Sequence, residues 1–356
     1  MNTIAIVRRY RLGRVPQGYL RQLVILSQAY GLEAFLCAAE DFDFVASTVK
    51  GTFFEDGKWV IKTVPIPRVI DNLMVTKKTA PFLAKLSKQA FLMNHRIGAK
   101  QTIYPLLKND PVFKPYYLPT ETITDSQQIK SFLDEYSGVI VKPGNGAQAV
   151  GIVKMTQQQE TITVQTDEET QTVTASGLEA FLSDYTHNNY VVQPYIETTT
   201  PDGMPFHVRM LVRKNEVGDF ELVKNYVEIG ILNHVVSNMH QGGGLIWLPT
   251  LLKGLFGSRG PKIEAELTRM STTLPQAFQR HYQDWISALG IDIAIDKQGH
   301  LWVMEVNAGP GHEYVKLEDA ELRVKAYYYL VSQTSATDRF SNASRYRVAH
   351  DVQRYL

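Results

Sequence analysis

The feature that most constrains the fold is a glycine-rich segment at residues 139–153, with the sequence VIVKPGNGAQAVGIV. Part of it fits the GxGxxA pattern of dinucleotide-binding proteins, in which a helix must follow the glycines directly because its N-terminus holds the pyrophosphate. Here residues 150–155 predict a strand, so the glycines join two strands. Such a loop can fold over phosphates with its backbone N–H groups, and Lys142 would add a positive charge. An ordinary hairpin with a surface lysine is the alternative that this segment alone leaves open.

A second segment, residues 289–311, places carboxylates on two apolar strands that a turn at Asp296 joins. Glu305 is the sole charge in the second strand, and burying it unpaired would cost several kcal/mol, so it should face a cation or a cleft. Asp292 lies on the partner strand, and Asn307 follows Glu305 by two residues on the same face. These hard oxygen ligands suit Mg²⁺ shared with phosphates.

A third segment, residues 190–197 (YVVQPYIE), contains a strand that runs into a proline. Backbone donors and acceptors left exposed at such a point would suit the edge of an adenine ring. Taken alone, the segment is typical of an ordinary strand end.

These three segments in this order resemble the ATP-grasp fold, and more narrowly the endospore coat-associated, YheC/YheD-type ATP-grasp family. The resemblance extends from about residue 95 to residue 330. The motifs that carry it are KPGNG at 142–146, QPYI at 193–196, FHVR at 206–209, SNMHQGG at 237–243 and GIDIAIDKQGHLWVMEVN at 290–307.

The resemblance implies a chain of the α/β and α+β classes. A small N-terminal α/β domain precedes an ATP-grasp fold, whose two α+β lobes enclose the nucleotide. We expect an N-terminal domain at 1–75, a helical connection at 76–120, a small lobe with glycine loop and hinge at 121–205, a large lobe with the metal site at 206–332, and a C-terminal tail at 333–356.

The resemblance also implies which residues would contact Mg-ATP. Residues expected at the nucleotide are Lys100, Lys142, Gly144, Asn145, Gly146, Gly151, Gln193, Pro194, Tyr195, Ile196 and, at the ribose, Glu197. Lys108 and Arg96 are alternatives to Lys100 as the earlier lysine of the phosphate site. Residues expected at Mg²⁺ are Asp292, Glu305 and Asn307.

The same resemblance implies the catalytic and acceptor residues. Arg209 would reach a phosphate or an acyl phosphate and, with Lys142, is the expected catalytic group. Residues expected beside the acceptor substrate are Asn238, Gly242, Gly243 and Glu228.

The chain departs from the family at His207, where related members commonly have an aspartate, and at Glu228, where they tend to have an arginine. Glu228 inverts a charge beside the expected active site. We expect it to pair with Arg209 or Arg213, to recognise a cationic amine on the substrate, or to point to solvent.

Composition excludes several classes of protein. Lys and Arg total 37 against 36 Asp and Glu, which argues against a protein that coats nucleic acid. The single cysteine, Cys37, excludes an intramolecular disulfide and a CxxC zinc site. The most apolar stretch, residues 245–256, is too short and too interrupted to span a membrane. We expect a cytoplasmic protein, with the association with the spore coat that the resemblance implies.

The function expected from the resemblance is that of an ATP-dependent, carbon–nitrogen bond-forming ligase that works through an acyl phosphate. Its partner would be a small-molecule or peptide acceptor that carries a carboxylate or an amine, and its cofactors would be ATP and Mg²⁺. Two alternatives stay open: a catalytically inactive nucleotide-binding or structural protein of the spore coat, and a small-molecule kinase.

Overall fold

The computed structural model describes residues 2–8, 18–76, 78–144, 151–158, 161–166, 168–186, 189–232, 235, 237 and 242–332. Within these residues the strands form three sheets, and the helices pack against them. The helices are α1 (Gly18–Ala29), α2 (Ala80–Leu86), α3 (Lys100–Asn109), α4 (Ser126–Tyr136), α5 (Ala175–Thr186), α6 (Leu248–Phe256), α7 (Gly260–Gln279) and α8 (Lys316–Ser332). No helix in the described part of the chain combines the length and the apolar character needed to cross a membrane.

The N-terminal sheet has a parallel centre and an antiparallel extension. Its strands are β1 (Thr3–Arg8), β2 (Glu33–Ala38), β3 (Phe42–Asp43), β4 (Thr48–Glu55), β5 (Lys58–Pro65), β6 (Val69–Asn72) and β7 (Phe91–Leu92). They lie in the order β3-β4-β2-β1-β6-β7, with β5 paired to β4. Helices cover central parallel strands on both faces, so these strands need continuous apolar runs, which residues 4–7 and 34–38 provide.

A hairpin and the expected helical connection are the two local features of this region that bear on the prediction. The β4–β5 hairpin turns at Asp56 and Gly57, both with positive φ, which matches the twist that such hairpins need. The expected helical connection at 76–120 is helical at α2 and α3. Between them, however, the apolar β7 pairs with β6 and extends the N-terminal sheet. The division of the chain into domains stays a prediction.

The second sheet is antiparallel and carries the glycine-rich segment. Its strands are β8 (Glu121–Thr122), β9 (Gly138–Pro143), β10 (Val153–Gln158), β11 (Thr161–Gln165), β12 (Thr170–Thr174) and β13 (Tyr190–Pro194), in the order β12-β11-β10-β9-β13-β8. Valines at alternate positions of β9 pack on α4, whose first turn is held by a capping box between Asp125 and Gln128. By strand alternation, Lys142 therefore faces away from α4.

The third sheet, also antiparallel, carries the predicted carboxylates. Its strands are β14 (Phe206–Lys214), β15 (Phe220–Ile229), β16 (Gly244–Ile246), β17 (Ala288–Ile295) and β18 (Leu301–Asn307), in the order β16-β15-β14-β17-β18. One face packs on α6 and α7 in the largest apolar core, while α8 lies against β14 and β15 and against α1 of the N-terminal unit. Asp296 is a turn residue as predicted, since its Oδ1 accepts hydrogen bonds from the N–H groups of Gln298 and His300.

Candidate active site

Gly144, which follows β9, sits where no side chain fits. A Cβ atom there would lie 1.9 Å from Gln101 Nε2 and 2.6 Å from the carbonyl oxygen of Asn189. The Gly144 N–H donates to that carbonyl at 2.8 Å, and the Gly144 carbonyl accepts from the N–H of Lys100 at 3.4 Å. The start of the glycine loop is therefore fixed against the first turn of α3.

The remainder of the predicted glycine loop lies only partly in the described residues. Asn145 and Gly146 lie outside them. Gly151, where the chain returns to β10, has φ +76°, a conformation that favours glycine.

Two predicted lysines and both predicted carboxylates meet in one cleft. Lys100 and Lys142 are 8% and 9% exposed, and Lys100 Nζ lies 3.2 Å from Glu305 Oε1. Burial lowers the pKa of Lys142 to about 8; the carboxylates of Glu305 and Asp292 oppose this shift, and the charge of Lys100 adds to it. The structure thus brings together side chains from α3, β9, β17 and β18.

Arg209 on β14 joins the same cleft, because the sheet register places it opposite Asp292. Arg209 Nη2 donates to Asp292 Oδ2 at 3.3 Å, while Arg209 Nε and Asp292 Oδ1 form an ion pair without hydrogen-bond geometry. Although burial acts against its charge, the carboxylates of Asp292 and Glu228 raise the pKa of Arg209. The guanidinium is therefore held as a cation beside the predicted metal ligand.

The predicted metal ligands lie on neighbouring strands. Asp292 and Glu305 are register partners, and Asn307 is opposite Gly290. No group of three or more His, Cys, Asp or Glu side chains is arranged to hold a metal within the described residues. Two carboxylates and one amide nevertheless fit Mg²⁺, which is usually held by one or two carboxylates with phosphates and water completing its shell.

The hinge region is less open than the sequence predicted. Gln193 is buried and donates from Nε2 to Thr120 Oγ1 at 2.7 Å, and Pro194 ends β13. The N–H of Tyr195 already donates to the carbonyl of Gly138 at 2.9 Å, so it is not free for an adenine edge. Ile196 is half-buried. Any recognition of an adenine edge must therefore use hinge groups other than the Tyr195 N–H.

Glu197, expected at the ribose, forms an exposed ion pair with Lys297, 2.7 Å from carboxylate to ammonium. Sequence reasoning missed a lysine that lies beside Tyr195 and interacts with Glu197. Lys154 Nζ lies 3.9 Å from the centroid of the Tyr195 ring. Burial lowers the pKa of Lys154, and Glu197 opposes the shift. The alternation Val153-Lys154-Met155 could have revealed it, because the flanking residues pack in the core.

The two departures from the family pattern lie next to Arg209. His207 and Glu228 are register partners on β14 and β15, both more than nine-tenths buried. Glu228 Oε1 lies 3.8 Å from Arg209 Nη2, and Glu228 Oε2 lies 3.9 Å from His207 Nε2. Arg213, the other expected partner of Glu228, instead pairs with Asp319 at 2.8 Å. The hydroxyl of Ser237, the first residue of the SNMHQGG motif and one that was given no role, lies 2.6 Å from His207 Nδ1.

The acceptor loop is described in part. Asn238 lies outside the described residues, while Gly242 has φ +91° and Gly243 leads into β16. A Cβ atom at Gly242 would lie 3.1 Å from the side chain of Ile231.

Comparison with known proteins identifies relatives of the chain. The sequence profile of the YheC/D-like ATP-grasp family matches residues 89–334. Endospore coat-associated protein YheD of Bacillus subtilis (strain 168) is 25% identical over 311 residues, which cover 82% of this chain and 68% of that protein.

Solved structures of ATP-grasp ligases have a similar fold. The ligase PsnB in complex with the precursor peptide PsnA2 and AMPPNP superposes with a TM-score of 0.53 at 12% identity, over 96% of this chain and 99% of that one. D-cycloserine synthetase DcsG gives a TM-score of 0.51 at 14% identity, over 95% of this chain and 99% of that one. The ATP-grasp fold predicted from the sequence is confirmed.

Proposed function

The chain belongs to the YheC/D-like ATP-grasp family, and on that basis we propose that it is a Mg-ATP-dependent ligase. It activates a carboxylate as an acyl phosphate and joins it to an amine or a similar nucleophile. The observation that carries this proposal is the convergence of two buried lysines and a largely buried arginine on two carboxylates in one cleft. Those five side chains are Lys100, Lys142, Arg209, Asp292 and Glu305.

Phosphoryl transfer needs such an arrangement because catalysis consists mainly of positioning and of stabilising charge on the phosphate oxygens. Lys100 and Lys142 would hold the phosphates under the glycine loop. Arg209, on the far side of Asp292, would hold the carboxylate that is activated and then its acyl phosphate. In each role a buried guanidinium or ammonium forms strong, charge-assisted hydrogen bonds.

Mg²⁺ would be held by Asp292, Glu305 and Asn307, and when bound it neutralises phosphate charge. Asp292 Oδ1 already lies in an ion pair with Arg209 Nε, so Mg²⁺ would share this carboxylate with the guanidinium group. Hard oxygen ligands of this kind favour Mg²⁺ over softer metals.

Isothermal titration calorimetry with Mg-ATP is the first test. We expect binding by the parent protein, and Lys142→Ala should weaken it by about 1.5–3 kcal/mol because a charge-assisted hydrogen bond is lost. Lys262→Ala, which removes a charge on the exposed side of α7, is the matched control and should leave binding unchanged. Absence of binding at millimolar Mg-ATP would contradict the proposal.

Release of ADP in the presence of paired carboxylates and amines is the second test. Inorganic phosphate should appear with ADP if the chain is a ligase, whereas phosphate retained on the substrate would identify a kinase.

The position of Glu228 favours one alternative, a nucleotide-binding structural protein without turnover. A carboxylate 3.8 Å from Arg209 opposes charge development on a transferred phosphate unless a cation compensates it. The name of YheD associates that relative with the endospore coat, and the alternative extends this association to the present chain. Tight Mg-ATP binding without ADP release, whichever acceptor is added, would support this alternative.

A further inference from the structure

Arg209 and Glu228 form a pair of opposite charges that does not close into a hydrogen bond. Arg209 Nη2 and Glu228 Oε1 are 3.8 Å apart, and their side chains are only 17% and 11% exposed. Within the described residues, the Glu228 carboxylate accepts no hydrogen bond, and its other close neighbour is His207 Nε2 at 3.9 Å. His207 Nε2 is itself buried without a hydrogen-bond partner. A buried carboxylate in this state is costly, and a ligand that supplies donors would relieve the cost.

We propose that this pair binds a zwitterion, so that the carboxylate activated by the chain belongs to a free α-amino acid. The inference rests on the proposed ligase function and names its substrate class. Arg209 would hold the carboxylate of the amino acid, and Glu228 would accept hydrogen bonds from its ammonium group. Glu228 is then a specificity-determining residue, and the departure of the chain from its family at this position has a function.

One amino acid is large enough to contact both members of the pair. Standard bond lengths and the N–Cα–C angle put its ammonium nitrogen about 2.5 Å from its carboxylate carbon. The closest atoms of Arg209 and Glu228 are 3.8 Å apart, so neither end of such a ligand has to reach far for its partner. The ligand can lie antiparallel to the pair, with each of its charges next to the opposite charge on the protein.

The charge of the site also favours a zwitterion over a simple carboxylate. Arg209 faces two acids, Asp292 and Glu228, so a ligand with only a negative charge would add a third anion to a cleft of low dielectric. An amino acid adds no net charge, and its ammonium compensates Glu228 while Arg209 remains with the carboxylate.

The ammonium remains protonated during activation, so Glu228 stays compensated throughout the transfer. A carboxylate oxygen of the amino acid attacks the γ-phosphorus of ATP, the new O–P bond forms, and the bond from the γ-phosphorus to the β,γ-bridging oxygen breaks. ADP leaves and the aminoacyl phosphate remains, with no proton gained or lost. The acceptor amine then attacks the carbonyl carbon, the C–N bond forms, the C–O bond to phosphate breaks, and the proton that the amine loses leaves with the phosphate.

The test uses hydroxylamine as the acceptor, because it traps an acyl phosphate as a hydroxamate whatever the natural acceptor is. Free α-amino acids are compared with their N-acetyl derivatives, which keep the carboxylate and lose the ammonium charge. We expect at least one amino acid to release ADP and form hydroxamate at least tenfold faster than its N-acetyl derivative. Calorimetry without ATP should show the same preference in binding.

Glu228→Gln keeps the size of the side chain and removes its charge. We expect it to raise KM for the amino acid at least tenfold and to abolish the preference over the N-acetyl derivative. Glu221→Gln, at the other end of β15, is the control and should behave as the parent. Melting curves of both variants establish that they fold.

Two results would overturn the inference in different ways. Equal rates for amino acids and their N-acetyl derivatives, with hydroxamate formed from both, would leave the ligase function intact and remove the zwitterion site. No ADP release with any carboxylate, despite Mg-ATP binding, would remove the ligase function and the inference together.

Discussion

Neutralising Glu305 should make the nucleotide-free protein less stable, because it removes the ion pair with Lys100. Lys100 Nζ lies 3.2 Å from Glu305 Oε1, and Lys100 is 8% exposed. Glu305→Gln preserves the shape of the side chain but removes the negative charge beside a buried ammonium group. The free energy of unfolding should therefore fall.

The magnitude follows from the distance and the burial. At 3.2 Å and an effective dielectric constant of about 20, the attraction between the two charges is about 5 kcal/mol before desolvation is subtracted. The Glu305 side chain is 28% exposed and glutamine still offers an oxygen acceptor, so we expect a net loss of about 1–3 kcal/mol. The exposed pair Glu197–Lys297 provides a comparison, because breaking it should cost at most about 1 kcal/mol.

Thermal unfolding with a chelator and without nucleotide measures this difference. Glu305→Gln should lower Tm by several degrees, since 1 kcal/mol corresponds to about 2–4 °C in domains of 150–250 residues. Glu197→Gln, the control, should change Tm little. A higher Tm for Glu305→Gln would refute the reasoning, because it would mean that Glu305 and Asp292 repel each other more strongly than the cations stabilise them.

Three further predictions concern pH, the glycine loop and the buried core. Because burial lowers the pKa of Lys142 to about 8, Mg-ATP should bind more weakly above that pH, and calorimetry of Lys142→Ala should lose this dependence. The folded chain binds fewer protons than the unfolded chain between about pH 8 and 10.5, so the contribution of Lys142 to unfolding free energy rises with pH in that window. Gly144→Ala should weaken Mg-ATP binding and lower Tm, since its Cβ would meet a carbonyl oxygen at 2.6 Å, whereas Gly254→Ala meets no atom within 4 Å and should not. Asp71→Asn should cost about 3–5 kcal/mol in denaturant titration, because Asp71 is fully buried and accepts hydrogen bonds from Arg323 at 2.6 and 2.7 Å.

The parts of the site that the sequence predicted are those that depend on local periodicity. Alternation along β9 puts Lys142 on the opposite face from the core valines, and the same rule puts Glu305 and Asn307 on one face. The turn at Asp296 sets the β17–β18 register only as far as Ile293 and Val303; beyond them a register shift brings Asp292 opposite Glu305, and the turn alone does not predict that pairing.

The parts that could not be predicted depend on contacts between distant segments. Arg213 shares a face with Arg209, but it lies opposite Glu221 rather than Glu228, and α8 covers it there and supplies Asp319. The β14–β15 register and the position of α8 decide this pairing, and neither has a local signature in the sequence. The pairing of Asp71 with Arg323, 252 residues apart, has the same origin.

The ion pairs of the free protein suggest that Mg²⁺ and ATP bind cooperatively. Both carboxylates among the predicted metal ligands are paired with a predicted phosphate ligand, Glu305 with Lys100 and Asp292 with Arg209. ATP alone would draw the cations away and leave the buried Asp292 and the partly buried Glu305 without a counter-charge, and Mg²⁺ alone would leave the cations without one. When Mg²⁺ and ATP bind together, the carboxylates contact Mg²⁺ and the cations contact the phosphates, so every charge keeps a partner. Each ligand should therefore raise the affinity of the protein for the other by the same factor. Calorimetric titrations of ATP with and without Mg²⁺ measure that factor, after correction for the binding of Mg²⁺ to ATP in solution. Equal affinities for ATP would show that the ion pairs of the free protein do not hinder the binding of ATP without Mg²⁺.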